Sequence, residues 1–404
     1  MFHVKMVYSQ KGGFIIMKIG LMGFDFSSPN KGCEALSYSF INMLVECFGK
    51  EIEIVNFSYG SMGKISEYYP FLRFMIRHPH VKNPLDWLRL KREMSELDMI
   101  FDVTFGDGFS DIYGKMWNAT TDMLKELAIQ SGTSLILLPQ TYGPYKDPKL
   151  KKWAEHIVKK CSFAYSRDTA SAVEMNKICG NKVEVLTDMA FALPYNKSEY
   201  LVDHSKMNVG INVSSLLWDS AYAKDNKFGL KTEYKEFIMK LIQELLNCGE
   251  YRIHLIPHVI DAENYESAEN DVRACDAVKK MFDSDDVICA PAFENPVDAK
   301  SYIANMDVFV GARMHATIGA VSAGVATIPF AYSKKFKTMF GNLGYKYVIE
   351  AQSVGTSESL KQTLEWIKGY RALAEEANAA SITAKNKLQV LKKVVTGMNQ
   401  NNYQ

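Results

Sequence analysis

Arg313 and His315 stand one residue apart, just after an apolar run from Val308 to Val310 and a glycine break at Gly311. A guanidinium grips a carboxylate or phosphate with parallel N–H donors, and an imidazole titrates near neutrality. The pair therefore suits an anionic substrate that also exchanges a proton. The small residues that follow (Ala316, Gly319, Ala320, Ser322, Ala323, Gly324) predict a helix lying close to neighbouring backbone. A helix start adds free N–H groups and a positive dipole end. A strand–glycine–helix junction occurs in every doubly wound sheet, so taken alone it is as often structural as functional. Three further groups fall at predicted strand ends: Ser214 after Asn208–Val213, His258 after Tyr251–Ile256, and Lys334 after Thr327–Tyr332. In an open α/β sheet the carboxyl ends of the strands form the ligand edge, so His258, Arg313, His315 and Lys334 converge there. A solvated pair is the commoner fate of Lys334 and Lys335.

The first half of the chain offers acids instead. Gly106-Asp-Gly-Phe-Ser-Asp-Ile-Tyr-Gly114 follows a strand and carries Asp107 and Asp111. Either is a candidate base for a hydroxyl, or the segment is an Asx-type turn. Arg167 repeats the geometry of Arg313 at a strand-to-helix junction; it binds an anion or pairs structurally with Asp188. Gln140 and Tyr142 end another strand, and the loop from Gly23 to Ala35 carries Asn30, Gly32 and Glu34 into the first helix.

The elements that hold these residues alternate. Strands are expected at Lys18–Met22, Ile52–Phe57, Met99–Phe105, Ser134–Leu138, Ser162–Ser166 and Val183–Leu186, with helices between them. A polar stretch near 196–207 reads as a linker. The pattern then restarts through helices at 231–247 and 268–282, and Asn295-Pro296 opens another helix as cap and first residue. Domains are expected at 17–195 and 208–350, with helices and a tail at 351–404. Residues 1–16 read either as an upstream-start extension before Met17 or as an extra edge strand. Strand–helix alternation implies α/β domains with mostly parallel sheets.

Bulk properties narrow the class. A chain of 404 residues exceeds one ordinary core, and a net charge of +1 supplies no global field for nucleic acid or anionic lipid. No apolar run approaches the ~18 residues of a membrane span. The seven cysteines form no C-x-x-C pair and the histidines no H-x-x-x-H, so neither a disulfide framework nor a metal site is indicated.

Residues 311–320 resemble the G-x-R-x-H-x-x-x-x-A motif of the polysaccharide pyruvyl transferase family, through Gly311, Arg313, His315 and Ala320. Asn30, Gly32 and Glu34 resemble its N-x-G-D-E segment, with Cys33 in place of the usual Asp. The segment at 106–108 resembles its triple glycine, broken by Asp107, and those at 140–144 and 166–168 are similar to the family's. The resemblance runs from Met17 to about Tyr345. It implies two Rossmann-like domains facing a cleft, GT-B-like; the helical, polar-rich stretch from Ser357 to about Val395 is read separately, from its own pattern, as a candidate to cross back to the first. The resemblance further implies transfer of pyruvate from phosphoenolpyruvate, as a ketal, onto a sugar of a bacterial surface polysaccharide or its lipid-linked precursor. On this reading His315 is the acid, Asp107 or Asp111 the acceptor-side base, and Arg313, Arg167, His258, Lys334 and Ser214 hold the donor. Asn30, Glu34, Gln140 and Tyr142 meet the acceptor. No cofactor or metal is called for, and the expected partners are phosphoenolpyruvate and a glycan or lipid-linked acceptor, not nucleic acid. The expected place is the cytoplasm, with peripheral contact at the inner face of the membrane for a lipid-linked acceptor. An inverting glycosyltransferase using a nucleotide sugar is the rival on the same scaffold. A non-catalytic relative of the same fold is the third alternative.

Overall fold

The computed structural model describes residues 16–80, 82–219 and 221–401, with only the backbone described at 221–222, 334–335 and 398–401. The segment 1–15, and with it the question of an extra edge strand, lies outside the described residues. The chain divides into two compact units. The first comprises the described chain up to Ser27, Leu36–Ala192 and the chain from Asn386 onward. The second comprises Ser28–Ala35 and Leu193–Lys385. The second unit thus begins a few residues before the polar stretch at 196–207, keeps most of the C-terminal helical region, and claims eight residues from the N-terminal loop. The chain from Asn386 groups with the first unit.

Seven parallel strands form the sheet of the first unit: β1 (Met17–Met22), β2 (Ile52–Phe57), β3 (Arg73–Arg77), β4 (Met99–Asp102), β5 (Leu135–Gln140), β6 (Phe163–Ser166) and β7 (Val183–Val185). Their spatial order is β3-β2-β1-β4-β5-β6-β7. The chain therefore winds outward in both directions from the β1/β4 boundary, the topological switch point where such sheets bind ligands. Ile100, Leu135, Leu137 and Ala164 pack on one apolar cluster with Leu124, Ala128 and Ile157 of the covering helices. Strands covered on both faces read as near-continuous apolar runs, as β1 and β5 do. The edge strand β3 escapes that signature, because Phe74, Met75 and Ile76 are only half-buried between two arginines.

The second unit holds six parallel strands: β8 (Met207–Asn212), β9 (Tyr251–Leu255), β10 (Val287–Cys289), β11 (Val308–Gly311), β12 (Ala326–Ala331) and β13 (Ile349–Glu350). The order is β10-β9-β8-β11-β12-β13, so the switch point lies between β8 and β11. Alternation along β11 sends Val308 and Val310 to one core and Phe309 to the other. The first core is closed by the helix Tyr234–Cys248, the second by Pro296–Ile303 and Met314–Ser322. Asn295 caps Pro296–Ile303 by accepting from the N–H groups of Val297 and Asp298. Among the described residues no helix is long and apolar enough to cross a membrane.

Candidate active site

At the β8/β11 switch point the site is built around a carboxylate that sequence reading passed over. Asp271 is fully buried at the first position of the helix Asp271–Lys279. It accepts from the backbone N–H of Ser215 (2.9 Å), His258 (3.2 Å) and Val259 (3.0 Å). Arg313, 8% exposed, closes the cluster with Nη2 at 2.8 Å and Nε at 3.2 Å from the same carboxylate. Nη2 also donates to the Glu269 carbonyl at 2.9 Å. Among the described residues only Nη1 of this guanidinium lacks a hydrogen-bond partner. Burial weighs against the charge of Arg313, and the Asp271 carboxylate more than offsets it. Its backbone is fixed as well: the N–H donates to Asn212 Oδ1 at 2.8 Å, while Asn212 Nδ2 reaches the Ile256 carbonyl at 2.9 Å. One asparagine therefore ties the ends of β8, β9 and β11 together.

His258 sits inside this cluster, buried, with neither ring nitrogen hydrogen-bonded among the described residues. Burial holds its pKa well below the usual imidazole range, and the nearby charges of His315, Arg313 and Lys31 push the same way. It is a neutral ring with one N–H and one lone pair to offer. Ser214 Oγ, at the end of β8, is likewise buried without a partner. Orphaned buried polar atoms are rare, because each forfeits hydration without compensation. Two such groups, His258 and Ser214 Oγ, together with the unengaged Nη1 of Arg313 at the same strand edge, mark a place suited to a polar ligand.

The segment 28–35 completes the site. The Lys31 N–H donates to the His258 carbonyl at 3.0 Å, Ile260 N–H to Pro29 O at 2.8 Å, and Asn30 bridges Val259 in antiparallel fashion. Asn30 Oδ1 accepts from the Gly32 N–H at 2.9 Å. Gly32 then lies against the imidazole of His315: a Cβ on it would fall 2.3 Å from Nδ1. Lys31 is buried and paired with Glu34 at 2.8 Å, and it also donates to the Glu294 carbonyl at 3.1 Å. A cation in a helix's first turn opposes the dipole, so Lys31 breaks a local rule, a signal that it has a role elsewhere. The sequence reading assigned Asn30 and Glu34 to the acceptor. Their contacts instead place them with His258 and Arg313, since the loop is zipped to the end of β9. Asp271 was missed because its helix was expected to begin three residues earlier, which hid an acid capped by Asn270 at the true first turn. Lys334 opens the helix Lys334–Gly341, and its side chain lies outside the described residues.

The switch point of the first unit is organised differently. Thr104 and Phe105, directly after β4, both adopt left-handed backbone, at φ 35° and 55°. A β-branched residue there is a strained outlier. Thr104 is held by Asp102, which accepts its hydroxyl at 2.7 Å, and the Phe105 N–H donates to the Gly23 carbonyl at 2.8 Å. Asp102 also accepts from Gln140 Nε2 at 3.1 Å and pairs with the fully buried Lys125 at 3.3 Å. Lys125 lies 3.8 Å from Asp122, whose pKa burial pushes up, with Lys125 opposing.

Several expected residues take structural posts here. Gln140 is buried in the Asp102 network rather than presented to an acceptor. The Tyr142 hydroxyl donates to the Tyr165 carbonyl at 3.1 Å inside the core, and burial pushes its pKa far up. Asp111 accepts from the backbone N–H groups of Lys146 and, at 2.8 Å, Asp147, so it anchors a loop instead of standing as a base. Arg167 donates to Asp188 at 2.9 Å and to Thr141 Oγ1 at 3.0 Å. It belongs to the first unit, beside Gly106 and the charge of Asp107. Asp107 remains at the strand end, partly exposed, accepting from the Tyr113 hydroxyl at 3.0 Å. Among the described residues no cluster of His, Cys, Asp or Glu is arranged to hold a metal ion.

Known proteins with this fold include a putative UDP-N-acetylglucosamine 2-epimerase from Listeria monocytogenes, at TM-score 0.60 and 9% identity over 94% of this chain and 97% of that one. A second is the UDP-GlcNAc 2-epimerase from Neisseria meningitidis bound to UDP-GlcNAc, at TM-score 0.60 and 9% identity over 94% and 100%. A third is the Anabaena protein HepE in complex with UDP and glucose, at 0.57 and 11% over 95% and 99%. At these identities the likeness shows the fold, a GT-B-like pair of parallel-sheet α/β domains. No curated protein sequence matches the chain. The model of the polysaccharide pyruvyl transferases matches residues 30–334, from the asparagine that ties the N-terminal loop to β9 through the whole Asp271–Arg313 cluster, and the chain belongs to that family of polysaccharide-modifying transferases.

Proposed function

We propose that the protein transfers pyruvate from phosphoenolpyruvate, as a ketal, onto a sugar of a bacterial surface polysaccharide or its lipid-linked precursor. The observation that carries this reading is the set of buried polar groups left without partners in the second unit, both ring nitrogens of His258 and the hydroxyl of Ser214, on the same strand edge as the Arg313 guanidinium. Phosphoenolpyruvate brings a carboxylate and a phosphate, and charge-assisted hydrogen bonds from a fixed guanidinium are the strong ones. His258, kept neutral, donates a hydrogen bond and is the wrong group to deliver a proton. His315, at the start of Met314–Ser322, is then the acid. It protonates the methylene carbon, giving a methyl group and a cationic centre at the neighbouring carbon. One acceptor hydroxyl adds there and loses its proton, which Asp107 receives as the acceptor-side base. A second hydroxyl displaces phosphate and gives its proton to the now neutral His315, leaving the ketal and inorganic phosphate. Phosphoenolpyruvate dependence, a lipid-linked acceptor and peripheral membrane contact all belong to this proposal.

Thermal shift tests it, comparing phosphoenolpyruvate with a panel of UDP-, GDP- and CMP-sugars on the wild type and on His258→Phe. A ligand that binds only the folded state adds about 2.7 kcal/mol at a hundredfold over its Kd. The expected result is a shift with phosphoenolpyruvate that disappears in His258→Phe. Because the imidazole makes no hydrogen bond among the described residues, this substitution removes ligand contacts without orphaning any of their polar groups. A shift with a nucleotide sugar instead would hand the chain to glycosyl transfer.

A further inference from the structure

The residues expected to meet the acceptor at this edge of the first unit, Gln140 and Tyr142, are buried, yet the same edge presents an aromatic surface. We propose that Tyr113, backed by Trp117 and Phe105 and edged by Asp107, is the platform on which a sugar ring of the acceptor stacks. The inference rests on the transferase reading above and adds the subsite. Tyr113 is 52% exposed. Its ring leans on Trp117 at 5.4 Å between centroids, and Trp117 leans on Phe105 at 5.1 Å. Each ring is anchored by its backbone or its polar tip. Trp117 Nε1 donates to the Gly108 carbonyl at 2.9 Å, Phe105 sits in the strained turn after β4, and the Tyr113 hydroxyl donates to Asp107 Oδ1 at 3.0 Å.

The chemistry matches a pyranose. Such a ring has a face of C–H bonds and an edge of hydroxyls; an aromatic surface covers the first and a carboxylate accepts from the second. An aromatic kept for the core would have its ring covered, whereas the row Phe105–Trp117–Tyr113 runs from half-buried to open. A rigid tyrosine supplies contact area at little entropic cost. The carboxylate that fixes the hydroxyl end of Tyr113 is the one assigned as acceptor-side base. A ring stacked on Tyr113 therefore carries its hydroxyls to Asp107. A lipid surface would find no use for that oriented carboxylate, and a nucleic acid would need cations in its place.

Saturation-transfer NMR with methyl glycosides of glucose, galactose, mannose and N-acetylglucosamine tests the platform on the wild type, Tyr113→Ala and Tyr113→Phe. At least one glycoside should receive transfer at its ring C–H protons. Its affinity should fall about tenfold in Tyr113→Ala, the scale of one lost aromatic contact, and survive in Tyr113→Phe. Absence of transfer to every glycoside in the wild type, or equal affinity in Tyr113→Ala, would overturn the proposal. The phosphoenolpyruvate thermal shift serves as the control, because Tyr113 belongs to the other unit. An intact shift in Tyr113→Ala shows a folded donor site. Glycoside binding without any phosphoenolpyruvate shift in the wild type would sink the pyruvyl reading and leave the platform standing.

Discussion

The two units share a topology and differ in what fills the switch point. In the second, between β8 and β11, the filling is cationic and imidazole side chains on a buried carboxylate: Asp271 holds Arg313 and the backbone of His258, and the outward nitrogens are left over. In the first, between β1 and β4, the filling is backbone, the left-handed Thr104–Phe105 turn braced by Asp102. The cations there are paired inside, Lys125 with Asp102 and Asp122 and Arg167 with Asp188. The same sheet crossover thus leaves a buried imidazole and hydroxyl without partners in one unit, and in the other an aromatic edge with a carboxylate, Asp107, beside it. Fold supplies the location and side chains decide the ligand.

The strongest way to break this contrast is Arg313→Ala. It strands Asp271 as a buried unpaired charge and should cost about 3–5 kcal/mol in urea unfolding, as breaking a buried pair does. A loss well under ~1 kcal/mol would mean the carboxylate is solvated and the cluster is not what holds the edge. Next is Gly23→Ala, at φ +68° with its new Cβ 2.4 Å from Thr104 Cα. Forcing the strained turn apart should cost on the order of 1–3 kcal/mol, read from the same denaturation curves, and leave the phosphoenolpyruvate shift intact.

Gly32→Ala sharpens the contrast from the other side. The Cβ would displace the His315 ring, and misplacing an acid by about 1 Å can cost on the order of a hundredfold in rate. The measurement is phosphate release from phosphoenolpyruvate in the presence of acceptor, and undiminished turnover would remove His315 as the acid.

The smallest effect is on pH dependence. The folded chain keeps His258 neutral, and burial lowers His254 to about 4, whereas unfolded imidazoles protonate near 6.5. Below that pH the unfolded state binds more protons, so stability falls as pH falls, by at most ~1.4 kcal/mol per pH unit for each ring. For His254 the loss runs from about pH 6.5 down to its folded pKa. In His258→Phe the melting temperature should decline less steeply between pH 6.5 and 5 than in the wild type. Parallel slopes would show that His258 is not held neutral.

Much of this is legible in the sequence. Strand–helix alternation announced two parallel sheets, since strands covered on both faces must be apolar throughout. The run through Gly311 and His315 announced a strand-to-helix junction, and Asn295-Pro296 announced a helix start. Arg167 was legible only as a choice between ligand and Asp188, and the contact resolves it toward Asp188. Less visible were β3, whose half-exposed residues lack a clear period, and Asp271, an acid with no motif around it. Tyr142 misled because a tyrosine near a strand end looks the same in sequence whether its hydroxyl meets a substrate or the carbonyl of Tyr165.

Sequence by itself determined the class of the protein: two α/β units, an Arg-x-His junction, and a family motif set spread along the chain. Those are local properties, carried by periodicity and by neighbours a few residues apart. Only tertiary structure decided which groups share a site. It moved Asn30, Lys31 and Glu34 to the side of His258, removed Gln140 and Asp111 into the scaffold, and brought Asp271 under Arg313, 42 residues away in the chain. Such pairings follow from desolvation: a buried charge or polar atom must find its partner wherever the fold puts one, and that address is written in packing rather than in sequence spacing.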